Sequence, residues 1–125
     1  MKMQGFIFAD AAMERSPGQK DEIETGDVVN DADGAPISIG YGRWGAGSRL
    51  TETMRVDDVM IVLEGGLEVT SEGKTVSAAP GAIVHMPKGV EVTITAGADG
   101  ARTAYVTYPN SVSYTHLTLP TKRIV

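Results

Sequence analysis

Hydrophobic residues in this chain recur in short stretches with a period of two, each closed by glycine or proline. Asp57-Asp58-Val59-Met60-Ile61-Val62-Leu63-Glu64 alternates into a run of β-formers that ends on Gly65-Gly66, and Leu67-Glu68-Val69-Thr70 resumes the alternation. Two such runs about a Gly-Gly pair predict a β-hairpin. Pro80-Gly81 opens a further strand, Ala82-Ile83-Val84-His85-Met86, which stops at Pro87-Lys88-Gly89 because proline has no N–H to give to a ladder. Upstream, Ile37 to Trp44 alternates with Ile37, Ile39, Tyr41 and Arg43 on one face, and its interleaved Gly40 and Gly42 predict a bulge or a crowded packing partner. Thr75-Val76-Ser77-Ala78 and Val90 to Thr95 read as strands, Gly97 to Gly100 as a turn, and Ala101 to Tyr108 as the last strand. Short strands separated by glycine turns, with little helix, predict an all-β closed or sandwiched sheet.

The first 36 residues are less regular. Phe6-Ile7-Phe8 fits a short strand, and Asp10 to Arg15 has one turn of helical character, with Asp10 as its N-cap and Ser16-Pro17-Gly18 as its stop. Gln19 to Asp27 is charged and reads as solvated. Asn30-Asp31-Ala32-Asp33-Gly34 is Asx-rich turn chemistry; as a calcium loop it lacks the later ligands and the bidentate glutamate.

The stretch from Gly45 to Gly89 resembles the two motifs of the cupin superfamily, small double-stranded β-helix (jelly-roll) barrels. The first family motif is Gly, five residues, His-x-His, four residues, Glu, six residues, Gly; here Gly45 is followed at that spacing by Thr51-x-Thr53, Asp58 and Gly65. The second is Gly, five residues, Pro-x-Gly, two residues, His; here it is Gly81, Pro87-Lys88-Gly89 and Val92. The framework positions match and every motif histidine is replaced. Val-Leu-Glu-Gly, Met-Pro-Lys-Gly and Ala-Tyr-Val-Thr-Tyr-Pro most resemble the cupin of ethanolamine utilisation and its relatives, a branch that also lacks the metal-ligand histidines. The resemblance spans about Ile37 to Pro109 and implies one all-β cupin barrel over 37–110, preceded by an N-terminal arm over 1–36. Acetate-kinase activity is among the things it implies, although the chain carries no Gly-x-x-x-x-Gly-Lys loop to cradle phosphates.

Composition narrows the functional classes. At 125 residues the chain is one domain's worth, with no cysteine for disulfides or thiolate chemistry and a net charge of −5 that disfavours nucleic acid and anionic membranes as partners. No apolar run reaches membrane-spanning length and the start lacks a signal-peptide core, so a cytoplasmic protein is expected. Ser111 to Val125 falls outside the strand pattern and resembles a tail found behind unrelated reading frames assembled from environmental DNA; we read it as a non-native extension. It contains His116, which leaves His85 as the other histidine of the chain.

A typical cupin site holds a transition metal on three imidazoles and one carboxylate. The corresponding positions here are Thr51, Thr53, Asp58 and Val92, of which Asp58 alone is a credible ligand, so neither a metal nor another cofactor is expected. A set of Asp58, His85 and Glu52 becomes available if the strand register slips by one. On the motif register the interior is lined by Thr51, Thr53, Asp58, Met60 and Val92, with Tyr41, Arg43 or Arg55 near the mouth. That predicts a pocket for a small polar or carboxylate-bearing molecule. Catalysis would take Asp58 as acid or base, His85 or Tyr105 as its partner and an arginine on a substrate carboxylate, for metal-independent isomerisation or elimination. The plain alternatives stay open: Asp58 in a structural ion pair, His85 as a packing residue, and the methionines as core fillers. So do a non-catalytic ligand-binding or metabolic accessory role and an assembly role, with a homodimer expected from the apolar edge strands.

Overall fold

The computed structural model describes residues 2–15 and 22–110. The Ser16-Pro17-Gly18 stop and the tail from Ser111 onward lie outside the described residues. The strands are β1 (Glu14–Arg15), β2 (Ile23–Val29), β3 (Ser38–Trp44), β4 (Arg49–Thr53), β5 (Asp57–Ser71), β6 (Lys74–Ala78), β7 (Ile83–Met86) and β8 (Glu91–Tyr108). All pairings are antiparallel.

The two long strands organise the barrel. The first half of β5 pairs with the second half of β8, and the second half of β5 with the first half of β8. One layer therefore runs β1-β2-β3-β8-β5-β7 and the other β4-β8-β5-β6, with β5 and β8 shared. Val62, Met60, Trp44 and Ile23 from the first layer meet Leu67, Val69, Val92 and Ile94 from the second in one core. Each such side chain, fully buried, contributes roughly 1.5–3 kcal/mol. The result is a cupin jelly roll, the expected fold.

Gly65-Gly66 does not close a hairpin, and Gly97 to Gly100 is not a turn. Both lie inside continuous strands, where β5 and β8 bend together from one layer to the other. The ladder shifts register on either side, between Val62 and Glu64 and between Gly65 and Leu67. Gly65 and Gly100 both take positive φ, 73° and 71°, and a Cβ on Gly65 would overlap the Gly100 carbonyl. Glycine is required at this crossing by contact as well as conformation. The hairpin reversal comes at Glu72-Gly73, between β5 and β6, where consecutive positive φ values of 52° and 80° suit a two-residue turn.

The N-terminal arm contributes to the barrel more than its sequence indicates. The supposedly solvated charged run contains β2, whose Ile23 is buried in the core and which pairs along β3. The helical turn expected over Asp10 to Arg15 is not formed, since Glu14–Arg15 is β1; a 3-10 turn lies instead at Phe8–Asp10, in place of the short strand expected at Phe6 to Phe8, and Asp10 ends it and accepts from the Ile7 N–H at 2.8 Å. Phe6 to Phe8 lies against the outer face of β3: the Tyr41 hydroxyl donates to the Phe6 carbonyl at 3.2 Å, and the Tyr41 and Phe8 rings are 5.3 Å apart. At the end of β2 the Asn30 side chain accepts from the Ala32 N–H at 2.9 Å, the Asx turn expected. Among the described residues no helix is long and apolar enough to cross a membrane.

Candidate functional site

Register decides which side chains face the barrel interior. On β5, Asp58, Met60 and Val62 stand opposite Thr107, Tyr105 and Thr103 of β8, which stand opposite Ser38, Gly40 and Gly42 of β3. Asp27 and Thr25 of β2 continue the rows opposite Gly40 and Gly42. Directly opposed residues share a face, so Ser38, Asp58, Tyr105 and Thr107 project inward, while Asp27, on the same row, is itself exposed. One end of the interior is the apolar core; the other is a group of acids and hydroxyls. Gly40 makes room for this group, because a Cβ there would overlap the Tyr105 hydroxyl and the Gly26 carbonyl. The Tyr105 hydroxyl crosses over Gly40 to donate a short hydrogen bond to Asp27 Oδ1.

Burial sets the electrostatics. Asp58 Oδ1 is cut off from solvent with no hydrogen-bond partner, and the same holds for Thr107 Oγ1 directly across the ladder. Loss of hydration pushes the Asp58 carboxyl up to about 7, and the Glu52 carboxylate adds to the rise. Glu52 is itself raised by burial, an effect the Arg55 charge partly offsets. Tyr105 is held protonated well above the usual phenol range, first by burial, then by its hydrogen bond to Asp27 and the charges of Asp27 and Asp58. Asp58 thus sits where a carboxyl exchanges a proton near neutral pH.

The expected site residues divide between the two faces. Glu52 pairs with buried Val92, so β4 turns Leu50 and Glu52 inward. Thr51 and Thr53 are exposed on the outer face, where Thr51 shares a 2.9 Å hydrogen bond with Thr93. The motif register is displaced by one residue at β4, because the period of two runs unbroken from Leu50 and Glu52 through buried Met54 and Val56 to Asp58, Met60 and Val62, whereas Thr51 and Thr53 could share a face with Asp58 only through a change of parity. Asp58, Met60, Val92 and Tyr105 take inward positions. Tyr41 and Arg43 are outside, with Arg43 paired to Glu24 at 2.8 Å. Arg55 is exposed in the β4–β5 connection, where its charge acts on Glu52. His85 also points outward, 60% exposed, with Nε2 3.6 Å from Asp57 Oδ1, because Val84 and Met86 take the inward positions of β7.

The donor set does not fit a cupin metal. The displaced register brings Glu52 and Asp58 to the interior but leaves His85 behind, and among the described residues no three His, Cys, Asp or Glu side chains converge on a metal position. Two carboxylates without an imidazole are a poor match for a first-row transition metal. Size does not locate the site either. A recess of about 360 Å³ lies at the strand bend, lined by Gly65, Leu67, Glu68, Ala78 and Thr95, away from the perturbed groups. Another of about 270 Å³ is bordered by both His85 and Val92. The unpartnered oxygens and shifted carboxyls mark the polar end instead.

Asp27, Ser38 and Thr107 escaped the sequence reading. Thr107 was within reach of it, since it lies two residues beyond Tyr105 on the same face of one strand. Asp27 was hidden because Ile-Glu-Thr-Gly-Asp-Val-Val mixes charge into a strand whose inward row is Ile23, Thr25 and Asp27. Ser38 carries no signal of its own; its burial follows from pairing with Thr107.

The chain matches the sequence model of the family described as ethanolamine utilisation protein EutQ over residues 10–113. It is 31% identical over 83 residues to a Salmonella typhimurium protein named acetate kinase EutQ, an alignment covering 66% of this chain and 35% of that protein. It spans about a third of the length of the curated relatives it matches. Among solved structures, a protein of unknown function from Rhizobium leguminosarum bv. viciae is 59% identical, with 87% of this chain and 99% of that chain covered and a TM-score of 0.75. The Salmonella typhimurium putative ethanolamine utilisation protein is 28% identical, with 78% of each chain covered and a TM-score of 0.71.

Proposed function

The chain belongs to the ethanolamine utilisation protein EutQ family of cupins, and from its barrel interior we propose that it binds a small polar molecule at Asp58 and moves a proton on it without a metal. The observation that carries this reading is the Asp58 carboxyl, shielded, with an unpartnered oxygen and pushed up to about 7. A carboxyl with that affinity for protons serves as both acceptor and donor near neutral pH, as an isomerisation or elimination requires. Burial first, and then repulsion from Glu52, hold the proton on Asp58, and Tyr105, fixed by Asp27, presents a wall that stays neutral. The relatives' acetate-kinase name is not part of this proposal, since nothing in the interior group is built to hold a nucleotide's phosphates.

The test is solvent deuterium incorporation into the C–H positions of small hydroxycarbonyl and amino-alcohol compounds, followed by NMR in D₂O. Incorporation that Asp58→Asn reduces by roughly 100-fold or more supports catalysis. Incorporation that survives the substitution refutes it, and binding at Asp58 without exchange in any compound identifies a non-catalytic binding protein.

The homodimer belongs to the same proposal. Ile83, Leu63 and Tyr108 lie on the outer face of the first layer at 65%, 40% and 61% exposure, with Val59 and Ile61 between them. A second copy covering that apolar face is the occupant we infer. Light scattering of the wild type at dimer mass, and of Ile83→Lys at monomer mass, supports this; a monomeric wild type overturns it.

A further inference from the structure

We propose that the ligand group received by Asp58 and Thr107 is a protonated primary amine. The inference rests on the preceding assignment of Asp58 as the binding site and adds the charge and donor character of what binds. Thr107 is 3% exposed with its Oγ1 unpartnered, and Asp58 Oδ1 is unpartnered directly opposite. Opposed side chains on adjacent antiparallel strands lie about 5 Å apart at Cβ, so a group that entered there, displacing the packing that now shields both oxygens, would reach both. The Asp58 carboxylate, once ionised, accepts only, and the Thr107 hydroxyl has lone pairs to spare; an ammonium, with three N–H bonds and no acceptor, can donate to both.

The surrounding charge selects the same group. The inward-facing rows of β2, β3, β4, β7, the first half of β5 and the second half of β8 include the partly buried acids Glu52 and Asp58, with exposed Asp27 at the end of its row. None of those positions holds lysine, arginine or histidine. Arg55 offsets Glu52, whereas both influences acting on Asp58 disfavour its charge. A carboxylate ligand would bring a further negative charge to this group, while an ammonium would relieve both the repulsion and the missing hydrogen bonds. Tyr105 does not compete for the place, because its hydroxyl is committed to Asp27.

Three probes of one carbon skeleton separate charge from shape: 1-amino-2-propanol, 1,2-propanediol and lactate. Each is titrated at pH 8 into the full 125-residue chain, with binding read from backbone and methyl NMR shifts. The amine is expected to bind at least tenfold more tightly than the other two. Asp58→Asn is expected to lose at least tenfold of that affinity and Thr107→Val several-fold, while Thr107→Ser, which keeps the hydroxyl, and Asp57→Asn, on the exposed outer face, retain it. The dispersion of each variant's spectrum shows that it folds. Lactate or the diol binding as tightly as the amine, with that binding lost in Asp58→Asn, overturns the amine and leaves the Asp58 pocket standing. Amine affinity equal in Asp58→Asn and Asp57→Asn also overturns it, as does no binding of any probe; the deuterium experiment then judges the proton-transfer reading separately.

Discussion

Asp58→Asn is expected to alter how stability depends on pH, by an amount that follows from where the carboxyl sits. The folded protein holds the Asp58 proton with a pKa of about 7, against 3.8 for an ordinary aspartate. Because the folded value is the higher, the native state binds this proton more tightly than the unfolded chain. The stability it contributes is fully present below about pH 4 and is lost as pH rises through 7. Each tenfold in proton affinity is about 1.4 kcal/mol, so the loss approaches about 4 kcal/mol once the group is ionised on both sides. Asparagine keeps the shape and cannot titrate. Urea unfolding of wild type and variant at half-unit steps from pH 4 to pH 8 gives the test, read as the difference between the curves so that the other carboxylates cancel. The wild type should fall relative to the variant, most steeply between pH 5 and 7. Parallel curves, or a wild type that gains on the variant as pH rises, would refute the reasoning.

Two other substitutions probe the same end of the barrel. Glu52→Gln removes the repulsion that raises Asp58, so the fall in stability, and the limb of any activity profile that Asp58 controls, should move to lower pH. An unmoved profile would mean that the two carboxyls do not interact. Gly40→Ala puts a Cβ where the Tyr105 hydroxyl and the Gly26 carbonyl already are, and overpacking of this kind costs about 1–3 kcal/mol. A thermal midpoint equal to that of wild type would show that Tyr105 does not pass over Gly40.

The parts of the barrel legible in the sequence were those where one strand carries its own alternation. Asp58, Met60 and Val62 could be placed on one face because β5 is unbroken there. The motif spacing put Thr51 and Thr53 inside, whereas the period of two run back from Asp58 through Val56 and Met54 reaches Glu52 and Leu50, the facing that the pairing of Glu52 with Val92 fixes. The glycines at 65, 66, 97 and 100 looked like turns because a turn and a strand bend demand the same backbone freedom. Only the mutual contact of Gly65 with Gly100 distinguishes them. His85, a candidate partner for Asp58 whose facing the sequence left open, points outward for a simple reason: on β7 its apolar neighbours Val84 and Met86 have the stronger claim to the core. Asp27 was not legible because its strand sets the charged Glu24 and Asp27 between two buried ends, Ile23 and Val29.

The most direct test of the account is the titration of the Asp58 carboxyl itself, followed by ¹³C NMR in aspartate-labelled protein and assigned by the signal that Asp58→Asn removes. The arrangement of burial and the Glu52 charge predicts a midpoint near 7, moving downward when 1-amino-2-propanol is added. A midpoint in the ordinary aspartate range, unmoved by the amine, would contradict both the buried proton and the site built around it.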